Sequence, residues 1–135
     1  LDVRANIERA NEVVRELVQN GIPVSMFIDP DPNQLEACAE IGAPWVELHT
    51  GSFARAWYDL EKREIELSIL REGMKIGLEL GLRVNAGHGI NYENVEGAKN
   101  LESIYEFNIG HSIISRSIRT GLQESVQKMR SLLNG

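Results

Sequence analysis

Only one cysteine, Cys38, occurs in 135 residues, which excludes an internal disulfide and any metal site built from several thiolates. It stands among Leu35, Ala37, Ala39 and Ile41 at helical spacing, where a small buried apolar residue is expected rather than a nucleophile. Long apolar runs are missing too: no stretch approaches the ~20 residues needed to cross a bilayer. Positive charge is scarce, with 14 Lys and Arg against 20 Asp and Glu and a formal net charge of −6. Nonspecific nucleic-acid binding depends on cations that neutralise phosphates, so a general polyanion binder is excluded and any bound phosphate must be held locally. There is no low-complexity segment, no linker and no Gly-x-Gly-x-x-Gly dinucleotide loop. The chain opens on Leu1-Asp2-Val3-Arg4 without an initiating Met and without signal-peptide organisation. The expectation is a cytoplasmic protein with further residues upstream.

What is present is a repeated phrase. Val3, Ile7, Ala10, Val13, Val14, Leu17 and Val18 recur at three- and four-residue steps and predict one helix from Asp2 to Asn20, ended by Gly21. Ile22 to Ile28 is a short apolar strand, closed by Asp29-Pro30-Asp31-Pro32, with Asp31 placed to cap the next helix. The phrase returns as helix Pro32 to Ile41 and strand Pro44 to His49, then as helix Asp59 to Leu80 and strand Leu82 to Ala86. It returns once more as helix Glu93 to Leu101 and strand Ile104 to Ile109. Helical segments Ser112 to Ile118 and Leu122 to Leu133 finish the chain, and Gly42, Gly81 and Gly135 stand where left-handed C-caps are expected.

Strands separated by helices demand crossover connections and a parallel sheet. The polar groups assigned to the strands' C-terminal edges are Asp29, His49 with Thr50, Asn85 with His88, and Asn108 with His111. In a (β/α)8 barrel such edges converge on one mouth, where the chemistry is built. A closed barrel needs eight strands and typically ~250 residues. The fold expected is therefore α/β, the C-terminal half of a (β/α)8 TIM barrel, with residues 1–135 as a single partial barrel domain. The missing half lies upstream, or two copies pair.

Three segments carry candidate chemistry. In Asn85-Ala86-Gly87-His88-Gly89-Ile90-Asn91 a strand ends and two glycines flank a histidine whose type titrates near neutrality. A proton-transfer residue and a helix-capping His in a glycine-rich turn fit this segment equally. On Trp45 to Gly51, alternation turns Glu47 and His49 to one face and Val46 and Leu48 to the other. A mid-strand carboxylate is costly to bury unless paired or used, so Glu47 is a candidate for stabilising positive charge or holding a catalytic proton, or else the partner of a structural Lys or Arg. His49 has the weaker claim, a hydrogen-bonded structural role serving as well. Asn108-Ile109-Gly110-His111-Ser112 opens a helix whose free N–H groups would form a local anion site, unless Ser112 merely caps it. Arg116 and Arg119 fit an anion site or a solvated helix face equally.

In matching order and spacing, five segments resemble the C-terminal part of pyridoxine 5'-phosphate synthases: Val24 to Asp31, Ile41 to Pro44, Glu47 to Gly51, Val84 to Val95, and Phe107 to Arg116. The resemblance covers essentially the whole chain. It implies a cytoplasmic (β/α)8 barrel enzyme of the transferase class, assembled as a homo-octamer and working in vitamin B6 biosynthesis. Such enzymes condense 1-deoxy-D-xylulose 5-phosphate with 3-amino-2-oxopropyl phosphate to pyridoxine 5'-phosphate, inorganic phosphate and water. On the same footing His88 matches the family's proton donor and Glu47 its transition-state-stabilising carboxylate. Gly89, Gly110 and His111 match positions that hold the aminoketone phosphate. No metal or organic cofactor is implied, and no nucleic-acid or membrane partner.

Two departures accompany the likeness. The family's remaining catalytic His and Glu residues, and most contacts to the deoxyxylulose phosphate, belong to the first strands of the barrel, so this polypeptide alone is expected to be inactive. Ser52-Phe53 stands where a small residue or Cys followed by Tyr is frequent, removing an aromatic hydroxyl. Two further readings compete with the synthase. A nonenzymatic phosphate-ligand half-barrel would need Gly110 and His111 but tolerate loss of Glu47 and His88. Another phosphate-handling barrel, an isomerase or aldolase, is the other, although no strand carries a Schiff-base Lys at its C-terminal edge.

Overall fold

A computed structural model describes residues 1–134. The C-cap expected at Gly135 lies outside the described residues. Strands β1 (Ser25–Ile28), β2 (Trp45–His49), β3 (Arg83–Gly87) and β4 (Phe107–Asn108) form one sheet in the order β1-β2-β3-β4, every pair parallel. Between and around them run α1 (Ile7–Gln19), α2 (Pro32–Glu40), α3 (Gly51–Arg55), α4 (Leu60–Glu79), α5 (Val95–Ala98), α6 (His111–Thr120) and α7 (Leu122–Asn134). This is half of a (β/α)8 barrel, as expected.

Side-chain alternation divides the sheet. Met26, Ile28, Val46, Leu48, Val84 and Ala86 are buried beneath the helices. α2 packs on β1 and α4, and α4 packs on β2 and β3. Close approach of α4 depends on two small residues. A Cβ at Gly77 would lie 2.8 Å from Cγ2 of Val84, and one at Gly73 would lie 2.8 Å from Cβ of Pro30. In-register partners bring Phe27, Glu47 and Asn85 together on the opposite face, with His49, Gly87 and Asn108 in the next layer toward the C-terminal ends. Asn85 is therefore mid-strand, two residues short of the edge assigned to it from sequence.

Local chemistry explains the element ends. Asp31 caps α2 by accepting from the N–H groups of Asn33 and Gln34, and Gly42 and Gly81 adopt φ of 73° and 77° after α2 and α4. The first helix is split: a 3₁₀ turn at Arg4–Asn6 precedes α1, and the Asn6 side chain donates to the Asp2 carbonyl at 2.8 Å. β1 starts late because Ile22 donates its N–H back to Leu17 and Pro23 has none to give. α5 is far shorter than expected. Asn91 accepts from the N–H groups of Glu93 and Asn94 while Asn94 accepts from that of Asn91, so these side chains compete with the helix.

Candidate functional site

The loop after β3 delivers His88 in the left-handed region, φ 78°, with Gly89 following at 82°. Asn94 supports the turn by donating to the Gly89 carbonyl at 3.0 Å. From β2, the Glu47 carboxylate reaches over the strand beside it, where a Cβ on Gly87 would overlap its Oε1. Asn108, from the end of β4, donates to Oε2 at 2.6 Å. A backbone that leaves space and an amide that donates thus fix the carboxylate's position.

The third component is the start of α6. Its first N–H groups have no carbonyl within the helix to bond, and no side chain among the described residues caps them. The expected alternative, a cap by Ser112, is not what forms, because that hydroxyl donates instead to the Ile90 carbonyl at 2.9 Å. Arg116 is not part of this opening. Its guanidinium lies 5.0 Å over the Tyr92 ring and its Nη2 lies 3.5 Å from Glu124, tying α6 to α7 and the β3 loop. Arg119 is exposed.

All five residues singled out from sequence, Glu47, His88, Gly89, Gly110 and His111, line one cavity of about 670 Å³ with Phe27, Asn108 and Ser112. His49 stands just behind it, its ring 4.7 Å from that of His88 and its Nδ1 3.2 Å from a carboxylate oxygen of Asp29. The arrangement can place a proton-bearing imidazole, a carboxylate and an anion-accepting helix end around one ligand. Among the described residues no group of three or more His, Cys, Asp or Glu is arranged to hold a metal ion. Among them, too, no helix is long and apolar enough to cross a membrane.

Comparison with known proteins then decides the family. The family model for "Pyridoxal phosphate biosynthesis protein PdxJ" matches residues 1–135. The chain belongs to the PdxJ family. Relatives named pyridoxine 5'-phosphate synthase include that of Synechococcus sp. (strain JA-2-3B'a(2-13)), 49% identical over 133 residues, 98% of this chain and 55% of the relative. That of Prochlorococcus marinus (strain NATL2A) is 49% identical over 98% of this chain and 54% of its own length. The Trichodesmium erythraeum protein is 47% identical over 100% of this chain and 56% of its own. The chain thus spans about half the length of the curated relatives it matches.

Two residues that brace the cavity's components carry no role legible in the sequence alone. Asn108 reads only as a polar strand end, and nothing in a linear reading pairs it with Glu47, 61 residues away. Thr50 reads in the same way, yet its hydroxyl lies against the carbonyls of Gly87 and His88. The departure at Phe53 leaves the cavity untouched, since that ring is buried edge-on against Trp57 and does not line it.

Proposed function

We propose that the intact protein is a pyridoxine 5'-phosphate synthase that condenses 1-deoxy-D-xylulose 5-phosphate with 3-amino-2-oxopropyl phosphate, giving pyridoxine 5'-phosphate, phosphate and water. The observation that carries this reading is the convergence of His88, Glu47 and the uncapped start of α6 on one cavity in a chain of the PdxJ family. His88 is the proton donor. Amine and ketone join through an imine, and the later losses of water need an acid that protonates departing hydroxyls. Glu47, held by Asn108, stabilises positive charge that develops on the nitrogen. Gly89, Gly110 and His111 hold the aminoketone phosphate at the N-terminus of α6, where oriented N–H groups donate to an anion even in a chain of net charge −6.

In this reading residues 1–135 are one partial barrel domain, inactive until the other half of the barrel completes the mouth. The protein works in the cytoplasm as a homo-octamer, on small phosphorylated substrates, as a transferase without a cofactor. The test is His88→Asn in the intact protein, with both substrates supplied. Turnover is expected to fall by about 10² to 10⁴-fold while the KM for the aminoketone phosphate stays close to its original value. An unchanged rate would remove His88 from the mechanism.

A further inference from the structure

His49, Thr50 and Gly51 follow one another at the exit of β2, and each of them meets the loop that carries His88. Thr50 is completely buried, and a buried hydroxyl is unfavourable unless bonded. Its Oγ1 lies 2.7 Å from the carbonyl oxygen of Gly87 and 2.6 Å from that of His88. Its own N–H donates to the Gly87 carbonyl at 2.8 Å. The two peptides that set the His88 backbone are therefore gathered on one residue of the neighbouring strand. That backbone needs holding, because φ of 78° is disfavoured for any residue with a Cβ.

The ring is held separately. His49 packs against it at 4.7 Å between centroids with 41° between planes, and Phe27 meets the His49 ring edge-on at 5.3 Å. A carboxylate oxygen of Asp29 lies 3.2 Å from Nδ1 of His49. Gly51 leaves the space both imidazoles occupy. A Cβ there would stand 2.6 Å from Cε1 of His49 and 3.2 Å from Cδ2 of His88.

We infer that His49 and Thr50 are positioning residues for His88: Thr50 sets its backbone through the Gly87 and His88 carbonyls, and His49, anchored by Asp29, sets its ring. The inference deepens the synthase reading and rests on it for the kinetic readout alone. Thr50→Val removes the hydroxyl at nearly constant volume, and Thr50→Ser keeps it. In the intact protein the Val variant is expected to lose about 10- to 100-fold in kcat with KM changed less than about twofold, and the Ser variant to regain most of that loss.

A second readout is the ¹⁵N imidazole spectrum of the substrate-free protein. The His88 signal should move in Thr50→Val, in Gly51→Ala and in Asp29→Ala, and stay in place in Thr50→Ser. Because the Asp29 side chain is 75% exposed, Asp29→Ala tests the ring anchor without threatening the core. Full turnover in Thr50→Val, no rescue by Ser, or a His88 signal indifferent to all three substitutions would overturn the inference. If the intact protein makes no pyridoxine 5'-phosphate while the His88 signal still responds, the synthase reading fails and the positioning role stands.

Discussion

On β2, Val46 and Leu48 are 0% and 1% exposed, whereas Glu47 and His49, alternating with them, are half-buried on the opposite face. The same division runs across the sheet: Ile28, Val84 and Ala86 pack under the helices, while Phe27, Glu47 and Asn85 stand in register on the other side. One face gains free energy from apolar burial, roughly 1.5 to 3 kcal/mol for each large aliphatic side chain removed from water. The other holds groups whose polarity would be costly under the helices. A strand with a period of two therefore separates stability from chemistry within five residues, and the helix-packed face keeps the polar face in place.

The sharpest way to break this comparison is to mutate neighbours. Leu48→Ala is expected to lower unfolding free energy by about 2 to 5 kcal/mol. Glu47→Gln, one residue away, should shift it by less than about 0.5 kcal/mol. Urea unfolding of the two variants decides; equal losses would mean that the faces are not energetically distinct. Gly87→Ala probes the boundary between them. The added Cβ drives the Glu47 carboxylate off its seat and away from Asn108, with an expected loss of about 1 kcal/mol and a disproportionate fall in turnover. A variant with full turnover would show that the carboxylate's seat is unimportant.

The smallest effect concerns Cys38, on the buried side of α2. Burial pushes its thiol up from the ordinary 9.0 to about 11. The folded protein should resist thiol reagents at pH 8, where the unfolded chain reacts readily. Between pH 9 and about 11 the folded thiol keeps a proton that the unfolded thiol releases, so stability should fall as pH rises through that window. Rapid labelling of the native protein would contradict the burial.

Much of this was visible in the amino-acid order. α2, α4 and α7 end within about two residues of where apolar spacing and capping residues put them, an ordinary margin for helix boundaries. No sequence signal marks α3, and α5 is shorter than the expected Glu93 to Leu101, because single side chains outweigh periodicity in such short elements. Phe53, buried in α3, offers one apolar anchor, and the Asn91 and Asn94 side chains bind the backbone that α5 would otherwise use. Within the site, Gly87-His88-Gly89 and Gly110-His111 announce themselves as local patterns. The hydroxyl of Thr50 and the amide of Asn108 do not, because their partners lie 37 and 61 residues away and meet them only through sheet register.

At the other end of the strands, Arg83 lies 5.0 Å from the Trp45 ring and 4.2 Å from the Tyr105 ring. A cation wedged between two chromophores gives the sheet an optical gauge of its own, remote from His88 and blind to turnover. Emission from Trp45, isolated by replacing Trp57, would show whether an inactive variant has lost its architecture or only its reactivity.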